Sequence, residues 1–460
     1  MDAPSELIMV LDADFAVEER FLQRVVGMFR RSEIGIVQTP QFFYNSDPLQ
    51  HNLGIRKTFT DDQRVFFDVT QPAKDADGCA FCVGTSFVIR RSAVNAIGGF
   101  PDEVITEDLW LTYRLMEIGY VTRWLNERLS VGLSAEGVAE YTTQRTRWCH
   151  GTFQVALLKN GPLFGGRFTL KQRLHFINGI LHWLSKPYLI CVLLAPSIYW
   201  LFDASVIAAD ELLFLKYSAS VAIVCWAYSS WISGGRTVPV FTEISQLIAA
   251  LPVSLTLAGV LLRPLGKPFK VTQKGGDRSK IRVHWPSARF FAFVAALTGL
   301  AMLMAAISWD APTSYSDPEI LHFIWAAIAL FLAAMCLIVC VERPRDGRDE
   351  LVEINLDSWM HSNYATRPVR ISGLSADHIK LSGIEECNAA ASAVFLPCAG
   401  WVRLDNFAAR APGVFSIRPA FRQRVGILRF LFRTAPDTIA KTGNMLGTLR
   451  GVFRRVFIAP

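Results

Sequence analysis

Charged residues are scarce in this chain. Asp, Glu, Lys and Arg make up 19% of its 460 residues, whereas hydrophobic residues make up 51%. This composition is too apolar for an ordinary soluble protein and too charged for a bare helix bundle in a bilayer. The net charge of +7 is modest and favours cytoplasmic loops beside a membrane over a nucleic-acid-binding surface. We therefore expect a membrane protein with soluble parts and no nucleic-acid partner.

The sequence also lacks a secretory signal and a complete set of zinc-binding cysteines. The first residues contain acids and lack the basic and apolar stretches of a secretory signal, so no signal peptide is expected there. Cys79 and Cys82 form a CxxC pair, but the nine scattered cysteines provide no second pair to complete a zinc site. We expect reduced thiols that face the cytosol.

Lys and Arg are missing from two loops between apolar runs, 202–211 and 310–318, whereas 263–282 is rich in them. Basic loops stay on the cytoplasmic side, so 263–282 is predicted inside and the two acidic loops outside. The apolar runs lie at about 177–201, 211–233, 241–262, 289–309 and 319–341. Four of them are predicted to cross the inner membrane. The run 241–262 must begin and end inside, and its Pro252 and Glu243 favour an interfacial or re-entrant element.

The remaining chain divides around this membrane region, 171–341. Residues 1–170 alternate apolar strands with helical patterns, which is typical of an α/β domain. The strands are predicted at Leu7–Leu11, Ile34–Gln38 and Cys82–Arg90, and the helices at 18–30 and 108–118. Residues 342–420 carry the short alternating stretches of a small β-domain. Residues 421–460 form a basic amphipathic tail, predicted to lie on an anionic membrane surface or to pack on its own domain.

Asp12 and Asp14 follow the first predicted strand. Side chains two residues apart point to the same side, and ligands of α/β sheets bind at the carboxyl ends of strands. Two carboxylates there could hold Mg²⁺ or Mn²⁺ against a nucleotide diphosphate. A helix N-cap with an exposed acid explains the pair equally well.

Thr106, Glu107 and Asp108 precede an amphipathic helix. Helix capping explains them, with Thr106 at the N-cap and two acids near the positive helix end. The functional alternative makes Asp108 a general base that deprotonates an attacking hydroxyl.

Gln144, Arg145, Arg147 and Trp148 lie close together in QRTRW. Guanidinium groups suit a diphosphate leaving group, and an indole offers a flat face for a sugar ring. A basic interfacial helix ahead of the membrane is the alternative.

The basic loop contains the run FKVTQKG, with Phe269, Thr272 and Lys274. A hydroxyl, a cation and flexible glycines could fold over a bound nucleotide. A positive-inside anchor is the alternative.

Six motifs occur in a fixed order: DAD, VQTPQ, FCVGTSFVIRR, TED, QRTRW and FKVTQKG. In that order they resemble bacterial cellulose synthase catalytic subunits, which are family 2 glycosyltransferases. The resemblance implies a partial α/β glycosyltransferase domain of the A type, an α-helical transmembrane bundle and a small C-terminal β-containing domain.

The resemblance also implies roles. Asp12 and Asp14 would bind the metal and UDP, and Asp108, within Thr106–Asp108, would be the base on the acceptor. Gln144, Arg145, Arg147 and Trp148 would hold the diphosphate and the terminal glucose. Cys82, Gly84 and Thr85 would lie beside the acceptor, and Phe269, Thr272 and Lys274 would close on UDP.

Some features depart from the family. Its members carry transmembrane helices, a nucleotide-binding strand and another UDP-binding Asp before the DxD, so a fragment or a misplaced start is expected. They also carry a PilZ domain that binds cyclic di-GMP through RxxxR and D/NxSxxG. Here Arg343, Arg345 and Arg348 lack the RxxxR spacing, and 373–378 keep only the Ser. Conventional cyclic di-GMP binding is therefore not expected.

The expected function is a processive, inverting synthase that polymerises glucose from UDP-glucose into a β-glucan, with β-1,4 linkage favoured, and translocates the chain. A periplasmic partner subunit and membrane lipid are expected partners. The alternatives are a synthase of another polysaccharide, such as curdlan, mixed-linkage glucan or an amino-sugar polymer, and an inactive truncated membrane subunit.

Overall fold

The computed structural model describes residues 5–202, 204, 211–264, 278–308, 318–345, 350–362, 365–384, 392–405, 413–434 and 442–458. The strands are β1 Leu7–Val10, β2 Ala16–Val17, β3 Ile34–Gln38, β4 Phe87–Arg90, β5 Val121–Trp124, β6 Ser130–Val131, β7 Arg282–Val283, β8 Val341–Glu342, β9 Val352–Ser362, β10 Ala365–Leu374, β11 His378–Ser382, β12 Ala393–Leu396, β13 Gly400–Asp405 and β14 Val414–Ile417. The α-helices are α1 Phe21–Val25, α2 Pro48–Leu53, α3 Gln71–Ala76, α4 Arg91–Ala96, α5 Glu107–Glu117, α6 Val138–Leu157, α7 Leu170–Phe202, α8 Glu211–Ile232, α9 Phe241–Ile248, α10 Ala250–Leu262, α11 Trp285–Ser308, α12 Pro318–Cys340, α13 Phe421–Thr434 and α14 Met445–Phe453. A 3₁₀ turn spans Val26–Arg30, and π turns span Phe66–Thr70 and Arg454–Ile458.

A four-stranded sheet in the order β1-β4-β3-β5 forms the centre of the α/β domain. Strand β4 is antiparallel to β1 and β3, whereas β5 is parallel to β3. Phe87, the first residue of β4, therefore lies opposite both Val10 and Gln38, the last residues of β1 and β3. The segments that follow β1 and β3 and the segment that precedes β4 consequently meet at one edge of the sheet.

The predicted strands differ from the observed ones in two places. Strand β1 is half-buried, not fully buried, because it is an edge strand of the described sheet. The strand predicted from Cys82 begins only at Phe87. Gly84 has a φ of +86° and Ser86 a φ of +60°, and extended backbone requires negative φ. Residues 82–86 are therefore a loop.

Apolar side chains on both faces of β3 hold the helices to the sheet. Ile36 packs with Leu111 and Leu115 of α5 on one face. Val37 packs with Phe21 of α1 on the other, because successive strand residues point to opposite faces. Each such fully buried side chain contributes about 1.5–3 kcal/mol relative to exposure. The sheet thereby fixes the position of α5, which begins with TED.

Three helices in the described part of the chain are long and apolar enough to cross a membrane: Leu170–Phe202, Trp285–Ile307 and Ile320–Cys340. They coincide with three of the four predicted crossings. The other, at 211–233, forms the helix α8 but is not among the three. Helices α9 and α10 meet at a 44° bend, which fits either a broken span or a re-entrant element. The re-entrant form remains a prediction.

The described end of the basic loop lies against the α/β domain. The Arg278 guanidinium forms ion pairs with Glu140 of α6 at 2.7 Å and with Glu342 at 3.2 Å. Strand β7, just before α11, pairs with β8, just after α12. This arrangement places residues 278–283 on the same side of the membrane helices as α6.

The predicted β-containing domain is a closed six-stranded barrel in the order β10-β11-β14-β13-β12-β9. Within its GLSADH turn, the Ser375 hydroxyl accepts a hydrogen bond from the His378 amide at 2.9 Å. Arg345 donates to Glu350 at 3.0 Å and to the Glu136 carbonyl at 2.7 Å. Arg348 lies outside the described residues. The expected lack of conventional cyclic di-GMP binding stays a prediction.

The tail packs on its own chain, as the alternative had it. Ile427 and Leu431 of α13 belong to the barrel core, and Leu428 packs with Ala16 and Val131 of the α/β domain. Helix α14 contacts the segment after α2, where the Thr448 hydroxyl donates to the Thr58 carbonyl at 3.1 Å. Both helices join the C-terminal part to the α/β domain. Contact of their exposed faces with lipid stays a prediction.

Membrane topology can be tested by cysteine labelling of intact cells. On a cysteine-free background, Ser279→Cys is expected to react with an impermeant maleimide only after permeabilisation, because residue 279 follows Arg278 at the α/β domain. Ala204→Cys, in the acidic loop after α7, is the matched control and should react from outside. Labelling of Ser279→Cys in intact cells would contradict the four-crossing topology.

Candidate active site

The loop before β4 is fastened to the ends of β1 and β3. The Asp12 amide donates to the Thr85 hydroxyl at 2.8 Å. The buried Gln38 side chain donates to the Thr85 carbonyl at 2.7 Å and accepts from the Val83 amide at 3.0 Å. The DAD turn and the predicted acceptor loop are thus direct neighbours. Gln38 lies in VQTPQ, but the motif alone does not predict its contact with this loop.

Asp108 lies in the first turn of α5, facing this loop. A Cβ on Gly84 would lie 3.1 Å from Asp108 Oδ2, so the carboxylate rests against the Gly84 backbone. The Leu109 amide donates to Oδ1 at 2.7 Å. Burial, and then the neighbouring Glu107 carboxylate, raise the pKa of Asp108 to about 7. A carboxyl with a pKa near neutrality suits a general base.

A threonine connects the loop to α5 a second time. The Cys82 amide donates to the Thr112 hydroxyl at 2.9 Å, and that hydroxyl donates to the Asp108 carbonyl at 3.1 Å. Cys82 is fully buried, and burial, and then the Asp108 charge, raise the pKa of its thiol well above the usual value. Cys79 and Cys82 are both free cysteines.

Thr106 occupies the N-cap position of α5, but no side-chain capping bond is present. Its side chain instead fills the space beside Gly151 of α6, where an added Cβ would lie 2.3 Å from Thr106 Cγ2. The Ile105 amide donates to Gln154 Oε1 of α6 at 2.8 Å. The prediction that Thr106 caps α5 is therefore wrong, because its side chain forms no capping hydrogen bond. The absence of a side chain at Gly151 lets α6 approach the TED segment closely.

Arg147 of α6 belongs to the same electrostatic environment. Burial lowers the pKa of its guanidinium, while the carboxylates of Asp108, Glu107 and Asp12 act in the opposite direction. Half-buried Arg147 of QRTRW therefore lies within electrostatic range of the carboxylates of DAD and TED. Sequence distance alone gave no indication that Arg147 would be close to Asp108.

Arg145 has a partner in its own chain. Its Nη2 donates to both oxygens of Asp62 at 2.7 and 2.8 Å. Burial alone would lower the pKa of this guanidinium, but Asp62, and then Tyr141, raise it. A diphosphate role for Arg145 stays a prediction, and Asp62 is a residue that no motif indicated.

The other motif residues of α6 are half-buried. Trp148 lies beside Arg145, whose guanidinium is 4.6 Å from the centre of its ring. Gln144 is half-buried one residue before Arg145. Phe269, Thr272 and Lys274 lie outside the described residues, so their predicted closure over UDP remains a prediction.

Asp12 is exposed and Asp14 is half-buried in the turn that follows β1. No group of three or more His, Cys, Asp or Glu side chains with metal-binding geometry occurs in the part of the chain that the structure describes. Two hard carboxylates without a protein cage fit Mg²⁺ or Mn²⁺ whose remaining ligands are phosphate oxygens and water. The residues present therefore fit a cation that arrives with a nucleotide.

The contact between Gly84 and Asp108 predicts a selective effect of an added methyl group. Gly84→Ala is expected to lower the thermal unfolding midpoint in detergent more than Gly78→Ala does. Both glycines have positive φ, at +86° and +68°, and each substitution incurs the left-handed backbone penalty of about 1–2 kcal/mol. Only Gly84→Ala also crowds a carboxylate, since nothing lies within 4 Å of a Cβ at Gly78. Equal midpoints would contradict the contact.

Comparison with known proteins identifies a glycosyl transferase family and its relatives. Residues 7–262, more than half of the chain, match the family model described as "Glycosyl transferase family group 2". The chain is 28% identical over 349 residues to the "Cellulose synthase catalytic subunit [UDP-forming]" of Pseudomonas fluorescens (strain SBW25), covering 75% of this chain and 47% of that protein. It is 29% identical over 355 residues to the "Cellulose synthase 1 catalytic subunit [UDP-forming]" of Komagataeibacter xylinus, covering 76% and 47%.

The chain thus spans about half the length of these relatives. The family match begins at the first residue of β1 and ends at the last residue of α10, so it contains DAD, TED and QRTRW. On this evidence, the chain belongs to glycosyl transferase family group 2.

Proposed function

We propose that this protein is an inverting, processive glycosyltransferase that transfers glucose from UDP-glucose to a growing β-glucan, with β-1,4 linkage favoured. The observation that carries the proposal is the half-buried Asp108 carboxylate, which lies against the acceptor loop that Thr85 fastens to the DAD turn. The relatives are UDP-forming cellulose synthase catalytic subunits by name, which supports the same donor and polymer.

The proposed reaction is a single displacement. The terminal hydroxyl of the acceptor attacks the anomeric carbon of the donor glucose, and the bond from that carbon to the UDP oxygen breaks. Asp108 accepts the hydroxyl proton as the new glycosidic bond forms. The sugar inverts its configuration because no enzyme nucleophile intervenes, and UDP leaves with the bonding electron pair. Arg147 is placed to offset the charge of the departing diphosphate.

Asp12 and Asp14 are the residues that would hold a divalent cation. When bound, such an ion neutralises diphosphate charge and so makes UDP a better leaving group. The Asp12 backbone amide donates to the Thr85 hydroxyl and so joins the turn that carries both carboxylates to the acceptor loop. The acceptor loop and the donor end of the site are therefore held at a fixed separation.

The helices beside the site favour translocation of the product. Phe153 and Val155 of α6 share one apolar core with Trp183 of α7 and Val253 of α10. Trp148 packs on that core from the site side. A polymer that ends at Trp148 would therefore meet membrane helices directly. We propose the inner membrane as the location and a periplasmic subunit as the receiver of the chain.

The base assignment predicts the effect of one isosteric change. Asp108→Asn keeps the shape and removes the basicity, so UDP release from UDP-glucose in membranes carrying the protein should fall by roughly 10²–10⁴-fold. Since only the deprotonated carboxyl accepts a proton, kcat/KM of the wild type should rise with pH and level off above about 7. Glu117→Gln, at the other end of α5, is the control. Near-normal turnover of Asp108→Asn would refute the assignment.

The cation assignment predicts a loss of UDP affinity. Asp14→Ala should weaken UDP binding in the presence of Mg²⁺ or Mn²⁺, because the diphosphate loses its counter-ion, and EDTA should weaken wild-type binding likewise. Isothermal titration with UDP measures both effects. Glu6→Ala, an exposed acid at the opposite end of β1, should bind UDP as the wild type does. Binding that neither EDTA nor Asp14→Ala changes would exclude the cation.

A further inference from the structure

A carboxylate outside every motif lies beside the site helix. Asp62 follows α2 in the chain, and only 9% of its side chain is exposed. Both of its oxygens accept hydrogen bonds from Arg145, whose side chain is 10% exposed. The Tyr141 hydroxyl donates to Asp62 Oδ2 at 2.6 Å. Such charge-assisted bonds between buried groups fix the direction of a guanidinium closely.

Arg145 transmits this constraint to aromatic rings on α6. Its guanidinium carbon lies 4.6 Å from the ring centres of both Tyr141 and Trp148. These residues are four positions before and three positions after Arg145, so all three share one face of the helix. A planar guanidinium against an aromatic ring is a favourable contact that depends on orientation. Asp62 therefore sets the plane that supports the Trp148 ring.

The same group of residues joins α6 to the bent helix pair. The Tyr141 hydroxyl lies 3.3 Å from the Ser245 carbonyl oxygen of α9. Asp62 is itself preceded by Asp61, which pairs with Arg64 at 2.9 Å and not with α6. These two adjacent, largely buried carboxylates thus have separate partners, and of the two it is Asp62 that bonds to α6, the helix that carries QRTRW.

We propose that Asp62 is a positioning residue for the acceptor sugar, an inference that rests on the proposed function. Asp62 holds Arg145 across Trp148 and so fixes the ring face on which the terminal sugar stacks. The two arginines of QRTRW then have different tasks: Arg147 interacts electrostatically with the carboxylates of DAD and TED, and Arg145 supports the indole. The recognised group is the apolar face of a pyranose ring.

The test uses native membranes and measures how much donor glucose is released as free glucose and how much is added to polymer. Asp62→Asn keeps the size of the side chain and removes its charge. When the acceptor is misplaced, water competes for the donor, so the ratio of free glucose to polymerised glucose should rise by roughly 10- to 100-fold. Asp61→Asn makes the same chemical change at the adjacent buried carboxylate and should keep the wild-type ratio.

The ratio separates positioning from folding. A variant that merely folds less well loses both products in parallel and keeps the wild-type ratio, so an unchanged ratio in Asp62→Asn would overturn the inference. If the wild type makes neither product, the proposed function fails. Hydroxyl-radical footprinting of Trp148 in the same membranes then decides the inference. Labelling should increase several-fold in Asp62→Asn relative to Asp61→Asn, and equal labelling would refute the positioning role.

Discussion

The site depends on the Asp108 carboxylate, which is half-buried against the backbone of Gly84. Burial removes hydration from the ionised form of a carboxyl group. A buried carboxyl group therefore holds its proton more tightly than it does in solution. In this protein the fold keeps Asp108 in this position despite the lost hydration, because several hydrogen bonds hold its neighbours in place. The sheet fixes α5, Thr112 bonds the acceptor loop to α5, and Thr85 bonds the same loop to the DAD turn. The close approach of Gly151 to Thr106 then determines where α6 can lie.

Much of this arrangement could be predicted from local sequence patterns. Strand β3 has the predicted bounds, Ile34–Gln38, and all five of its residues are buried. Helix α5 was predictable because its apolar residues recur at helical spacing, and it begins only one residue before the predicted start. The helical pattern at 18–30 became α1 and a 3₁₀ turn that begin at Phe21. Secondary structure with a clear period was thus predictable.

The failures lie where partners are distant in sequence. The apolar stretch after Cys82 matches a strand in composition, but Gly84 and Ser86 adopt left-handed backbone that only tertiary bonds reveal. Asp62 sits in a polar segment without any motif, and its partner is 83 residues away. The tail carries the composition of a membrane-surface helix, yet its arginines are partly used within the chain. Arg433 pairs with Glu19 at 3.0 Å, and Arg429 donates to the Val17 carbonyl at 2.9 Å. Periodicity and charge cannot distinguish these partners from lipid phosphates.

The small sheet of β7 and β8 has a mechanical consequence. Its backbone hydrogen bonds join the residues just before α11 to those just after α12, so the two helices are linked by these bonds as well as by the chain between them. Sliding one helix past the other by a single turn, about 5.4 Å, would break these hydrogen bonds. Helices α11 and α12 must therefore move together as one rigid body.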